Sequence, residues 1–230
     1  MSPIAARLQA VKRRISEALQ GDTRPVVLVA VSKLQSPEAI REAFAAGQRA
    51  FGENYLQEAL AKQAVLSDLP IEWHYIGAMQ SNKARAIAEN FDWVHGIDRV
   101  KIADALSRGR PAGRAPLNAC LQVNISNEAT KGGVPPAELA ALAEAVAPLG
   151  GLRLRGLMGM ASPGDDTAKQ RREFAVLRDA LAMLRARGHR ELDTLSMGMT
   201  HDLEAAIAEG ATMVRVGTAI FGERPSRAPA

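Results

Sequence analysis

The sequence predicts an α/β fold, a single (β/α)₈ barrel of the TIM type whose parallel sheet closes on itself. Three observations predict it. Eight short β-rich runs alternate with amphipathic stretches along the 230 residues, the pattern of parallel strands joined by crossover helices. The first run, Val26–Val31, is unbroken apolar sequence, as expected for a strand buried on both faces. Gly47, Gly150, Gly188 and Gly210 each stand just past a helical stretch, where a left-handed C-cap is needed. Eight strands favour a closed barrel over a doubly wound sheet.

The elements follow in order. Ile4, Leu8, Val11, Ile15 and Leu19 recur at helical spacing, so residues 4–19 predict a packed amphipathic helix rather than a transit peptide, despite Arg7, Lys12, Arg13 and Arg14. The expected strands are Val26–Lys33, Arg49–Asn54, Ile71–Gly77, Phe91–Ile97, Leu117–Ser126, Leu152–Ala161, Leu192–Met199 and Thr212–Ile220. Helical stretches between them include Pro37–Ala46, Leu56–Leu66, Asn82–Glu89, Pro135–Ala147, Lys169–Arg187 and Leu203–Glu209. Ser36-Pro37-Glu38 is a helix start, with a capping hydroxyl, a proline at the first turn and an acid after it. Residues 109–113, Gly-Arg-Pro-Ala-Gly, read as a loop within one repeat. Nothing marks a second domain: residues 1–224 are expected to form one barrel domain with its N-terminal helix, and residues 225–230 a disordered tail. Almost nothing follows the last strand, so the N-terminal helix is expected to lie where an eighth helix would pack.

Composition excludes several classes. At 47% apolar and 23% charged the chain has the make-up of a soluble globular protein, and no stretch approaches a membrane span or a signal peptide. Cys120 is the only cysteine; no internal disulfide is possible, and a core position in a cytoplasmic protein is expected. The net charge of +4 comes from basic residues dispersed among acids, without a nucleic-acid motif. His95 and His189 lack metal-ligand spacing, so no metal is expected, and His74 reads as a hydrogen-bonded core histidine. Met158, Met160, Met197 and Met199 are expected inside the barrel or around the ligand.

Barrels place chemistry at the C-terminal ends of their strands, often with a phosphate site after strands seven and eight. Lys33 closes the first strand there. On rigid backbone at the rim of a core, a lysine amine is available to carbonyls; the alternative is a lysine that snorkels its head into solvent. Strand seven runs into Ser196-Met197-Gly198-Met199-Thr200, with Thr200 expected to begin a helix. A hydroxyl, a glycine and a helix start suit an anion. Strand eight carries Arg215, Gly217 and Thr218, and closure sets it beside Lys33. A carbonyl-seeking lysine near a phosphate pocket has two partners, a phosphosugar or pyridoxal phosphate. Arg215 favours the second, since an arginine facing the pyridine nitrogen is one way to hold that cofactor.

Seven motifs in order carry a family resemblance: Val29–Lys33 (Val-Ala-Val-Ser-Lys), Phe51–Glu58, Trp73–Gly77, Gln80–Lys83, Arg155–Met158, Leu195–Met199 and Arg215–Gly222. Through them the chain resembles the YggS/PROSC family of pyridoxal phosphate homeostasis proteins. The resemblance implies a barrel like the N-terminal domain of alanine racemase. It implies pyridoxal 5′-phosphate held as an imine on Lys33, Arg215 at the ring nitrogen, Ser196, Gly217 and Thr218 at the phosphate, and Asn54 lining the pocket. It also implies a cofactor carrier or regulator without established turnover. Ala78 stands where the family has proline and Tyr75 where phenylalanine is usual; Ala78 bears on the local loop only.

Binding without turnover is chemically reasonable. Arginine cannot protonate a ring nitrogen, and the chain lacks the further domain from which racemases of this type draw a tyrosine base. A monomer exchanging cofactor with apo-enzymes is expected, with a small racemase as the alternative and a class I aldolase as a second. Lys131, in a glycine-bearing loop, is read as solvated, with aid to cofactor release by transimination as its candidate role.

Overall fold

The computed structural model describes residues 2–128 and 131–222; the expected tail 225–230 lies outside the described residues. The N-terminal helix α1 (Pro3–Ala18) starts on Ser2, whose hydroxyl accepts from Ala5 N at 3.3 Å, with Pro3 in the first turn. The barrel then runs β1 (Val27–Val31), α2 (Pro37–Ala45), β2 (Ala50–Glu53), α3 (Leu56–Val65), β3 (Glu72–Tyr75), α4 (Ala84–Asn90), β4 (Trp93–Ile97), α5 (Val100–Gly109) and β5 (Leu117–Gln122). It continues α6 (Leu139–Val146), β6 (Leu152–Met158), α7 (Thr167–Ala186), β7 (Thr194–Ser196), α8 (Leu203–Ala208), β8 (Met213–Val216) and α9 (Thr218–Phe221). Ser36 caps α2 and Asp166 caps α7, each through a side-chain oxygen accepting a backbone N–H three residues on.

All eight strands are parallel and the sheet is closed, β8 pairing with β1 in the register Val29↔Arg215 and Ala30↔Val216. Side chains alternate along each strand. Ala30, Phe51, Val94, Leu121, Leu157 and Val214 join the large core under the helices. Val29, Ala50, Trp93, Cys120, Met158 and Met213, from six strands, touch one another inside the barrel. Cys120 is a free thiol in that interior, and burial pushes it up to about 12. Met197 faces the helix layer.

The helix α1 packs on α2, α8 and α9, filling the place of an eighth helix as the sequence predicts. Leu8, Val11 and Ile15 supply its buried stripe, and Arg14 forks onto Glu204 of α8 at 2.8 and 3.0 Å.

Three expectations are corrected. The eighth strand ends at Val216, not Ile220: Gly217, at φ −116° and ψ −72°, turns the chain out of the sheet, and Ile220 and Phe221 donate back to its carbonyl in α9. Thr200 does not begin a helix. It lies in a turn closed by Asp202 Oδ1 accepting Met199 N–H at 2.5 Å, and α8 starts at Leu203. Gly47, Gly188 and Gly210 take positive φ but Gly150 does not; the close approach falls on Gly151, where a Cβ would lie 2.3 Å from Ser107 O. The helix α5 buries Ile102, Ala103 and Leu106 at helical spacing.

Candidate functional site

A cavity of about 250 Å³ opens at the C-terminal ends of β1, β2 and β8, and Lys33, Asn54, Thr200, Arg215, Gly217 and Thr218 line it. A larger groove of about 680 Å³ lies between α1, α7 and α8. Two ion pairs lie along it, Arg14 with Glu204 and Arg24 with Asp22. The smaller cavity holds the chemistry.

The backbone on both sides of Lys33 is clamped. Ser32 is buried; its carbonyl accepts from Lys62 Nζ at 2.7 Å and its hydroxyl donates to Glu53 Oε1 at 2.6 Å. Leu34 sits at φ +62°, an unusual region for a residue with a Cβ. Its N–H donates to Glu58 Oε1 at 2.6 Å. Lys62 completes the cluster by donating to Glu53 at 2.8 Å and to Glu58 at 2.5 Å. Burial raises the Glu53 pKa while the Lys62 charge opposes that rise. These three residues were not singled out from the sequence. Glu53 and Glu58 lie inside the quoted motif Phe51–Glu58, and Lys62 follows Glu58 by one helical turn, which was the available signal.

Arg215 is 5% exposed, and no carboxylate pairs with it among the described residues. Its Nη1 donates to Ser196 O and Oγ, both at 2.6 Å, and Nη2 to Gly159 O at 3.2 Å. Those bonds use three of five N–H donors. Burial lowers its pKa to about 10, with Asp202 pulling the other way, so the guanidinium stays charged at neutral pH. Behind it runs a polar chain through the barrel. Ser196 Oγ lies 2.8 Å from His95 Nδ1, His95 Nε2 is 2.9 Å from His74 Nδ1, and His74 Nε2 is 2.8 Å from Glu72 Oε1.

Of the residues expected at the ligand, Lys33, Asn54, Arg215, Gly217 and Thr218 line one cavity and Ser196 does not. Ser196 is wholly buried behind Arg215, and Thr200, at the other end of the same segment, faces the cavity. Asn54 Oδ1 is buried without a hydrogen-bond partner, which is costly unless something in the cavity supplies a donor. At Gly217 a Cβ would come within 3.1 Å of Val31 O, so the backbone runs close to the rim. His201 lines the cavity too, and Met160 and Met199 supply apolar walls. Lys131 is not simply solvated: Nζ donates to Ala161 O at 3.1 Å and pairs with Glu128 at 3.0 Å, beside an adjoining cavity of about 490 Å³. Among the described residues no group of three or more His, Cys, Asp or Glu is placed to hold a metal.

A closed parallel barrel with a lysine just past its first strand and a buried arginine on its eighth, both lining one cavity, is a barrel of the alanine racemase N-terminal type. The chain belongs to that family: the model of "Alanine racemase, N-terminal domain" matches residues 3–225. A Pseudomonas aeruginosa protein named pyridoxal phosphate homeostasis protein is 58% identical over 233 residues, covering 100% of both chains. An Escherichia coli K12 protein of the same name is 49% identical, over 97% of this chain and 98% of that one. Among solved structures, PipY of Synechococcus elongatus PCC7942, with PLP bound, superposes with a TM-score of 0.84 at 43% identity, over 95% of this chain and 100% of that one.

Proposed function

We propose that residues 1–224 form one domain that binds pyridoxal 5′-phosphate (PLP) and serves its homeostasis as a carrier, without catalytic turnover. One observation carries this reading: Lys33, in the turn just past β1, and Arg215, on the β8 strand that pairs with β1, line a single cavity with anion-ready turns beside them. The names of the relatives and the PLP in PipY support it.

The residues fit the group. When bound, PLP supplies an aldehyde that Lys33 holds as an imine and a phosphate that needs donors. Thr200 and Thr218 offer hydroxyls, and Gly217 lets the backbone approach the anion closely. Asn54 Oδ1 gains a partner. Arg215 donates to the ring nitrogen without surrendering a proton, which keeps the ring a weak electron sink. A buried, unpaired guanidinium is itself costly, and an anionic ligand offsets that cost.

The cavity also lacks the racemase's second base. Tyr75 is buried with its hydroxyl donating to Ala78 O at 3.3 Å, Tyr55 stands exposed before α3, and neither lines the cavity. Missing acid–base help removes roughly two to four powers of ten in rate. His201 at the rim is the one observation that favours a small amino-acid racemase instead. We place the protein in the cytoplasm, as a monomer exchanging PLP with apo PLP-dependent enzymes; size-exclusion chromatography with light scattering checks the monomer. Among the described residues no helix is long and apolar enough to cross a membrane.

The test is a visible spectrum of purified protein. Yellow absorbance that survives dialysis, disappears in Lys33→Ala and moves to an added apo-enzyme is the expected result. Racemisation of alanine or serine would replace the carrier with the racemase, and a lysine adduct with a phosphosugar in place of yellow colour would point to an aldolase.

A further inference from the structure

With both imidazoles neutral, the polar chain behind Arg215 runs in one direction. Arginine has donors and no acceptor, so Arg215 Nη1 must donate to Ser196 Oγ. At the far end Glu72 is an ionised acceptor, its pKa held low by the bond from His74. His95 is wholly buried, and burial, with the Arg215 charge beside it, keeps it neutral. With both ends set, the middle follows. Ser196 passes its one proton to His95 Nδ1, His95 carries its proton on Nε2 and donates to His74 Nδ1, and His74 donates from Nε2 to Glu72. With both rings neutral, reversing any link sets two protons or two lone pairs against each other.

The chain crosses the barrel interior on β3, β4, β7 and β8, and the three middle side chains are 0% exposed. Trp93 stacks on His74, with centroids 5.6 Å apart and planes 6° apart, which fixes that ring's plane. None of the three middle residues lines the cavity, while Arg215, at the end of the chain, does. A polar path through a barrel core is expensive unless every member is satisfied. Here each one is, and the path terminates on Arg215, a cation buried at the cavity.

We propose that Ser196, His95 and His74 are positioning residues for Arg215: a one-way hydrogen-bond relay from the cavity to Glu72 that fixes the guanidinium as a donor toward the ring of the bound ligand, with Ser196 taking no part in holding phosphate. The ligand half of this inference rests on the PLP reading; the direction of the relay does not.

Two measurements decide it. In ligand-free protein labelled with ¹⁵N-histidine, His74 and His95 are both expected as neutral Nε2–H tautomers near pH 7, with Ser196→Ala moving the His95 Nδ1 resonance toward that of an unbonded acceptor. An Nδ1–H tautomer or a charged ring at His95 overturns the relay, whatever the ligand proves to be. The second compares affinities for PLP and for pyridoxal, which lacks the phosphate. Ser196→Ala is expected to weaken both by the same factor, about tenfold for one charge-assisted bond. Thr200→Ala is expected to weaken PLP alone. If Ser196→Ala weakens PLP and spares pyridoxal, Ser196 is a phosphate contact and the positioning role falls. If wild-type protein binds neither aldehyde, the PLP reading fails, and the tautomers still decide the relay.

Discussion

Lys62 and Arg215 are both cations buried to within 5% exposure, and the fold treats them oppositely. Lys62 spends its charge internally on Glu53 and Glu58 and, through Ser32 O, steadies the strand end that carries Lys33. Arg215 is left with donors for the cavity. Removing Lys62 therefore strands Glu53, whose second oxygen is already without a partner. Lys62→Met is expected to cost roughly 3–5 kcal/mol at pH 7, as for breaking a buried pair. The sign of its pH dependence follows from Glu53. A carboxyl raised by burial binds its proton more tightly folded than unfolded, so stability falls as pH rises from its unfolded pKa, about 4.3, through the higher folded value. In Lys62→Met the opposing charge is gone and that window widens. Urea titrations should show the deficit shrinking toward pH 4, and Glu53→Gln in the same chain should recover most of it. A second single-residue case is Gly77, where a Cβ would lie 2.2 Å from Asn54 O. Gly77→Ala must push the end of β2 aside, at a cost of about 3 kcal/mol in urea unfolding, and it should weaken the ligand with it, since Asn54 moves.

Between elements, the Arg14–Glu204 fork ties α1 to α8, and Arg14 also donates to Thr200 O at 3.0 Å in the cavity turn. The pair is partly exposed, at 34% and 52% of the side chains, so its worth is only about 0.5 kcal/mol. Arg14 holds the Glu204 carboxyl below its usual value, and a depressed carboxyl stabilises above its unfolded pKa and loses that contribution as pH falls through the folded one. The Tm difference between wild type and Arg14→Ala should thus be small, fall with salt, and shrink below about pH 4 toward the part owed to the bond to Thr200 O. The elements were legible where local pattern decides them. All eight expected strands contain a real one, because apolar runs bounded by turn residues are a short-range signal. Their ends were not legible: Thr212–Ile220 runs on in β-forming residues, and only the backbone turn at Gly217 ends the strand. The relay was hidden for another reason. His95 and Ser196 are 101 positions apart, and nothing near either residue marks it as the other's partner. Thr200 and Ser196 are the instructive pair, since one short segment offered two hydroxyls and only register decides which of them faces the cavity.

For the whole molecule, the decisive fact is where the sheet closes. The first and last strands of the barrel pair with each other, Val29 opposite Arg215. The β1–β8 seam is the most non-local contact in the sheet, and a ligand held from both sides acts as a staple across it. A bound ligand adds stability by mass action, about 2.7 kcal/mol at a hundred times its Kd, and it adds it at the seam. Hydrogen–deuterium exchange should therefore slow on both sides when PLP is added, at Ser32–Leu34 and at Gly217–Ala219, while α4 and α5 on the far wall are unaffected below global unfolding. Lys33→Ala should fold as the wild type does, because its side chain lies at the rim rather than in the core, and it should lose most of the protection at β1 while keeping part of that at β8, where the proposed phosphate donors remain. Protection confined to β8 in the wild type would mean that the first strand is not engaged and that the ligand is held by its phosphate alone.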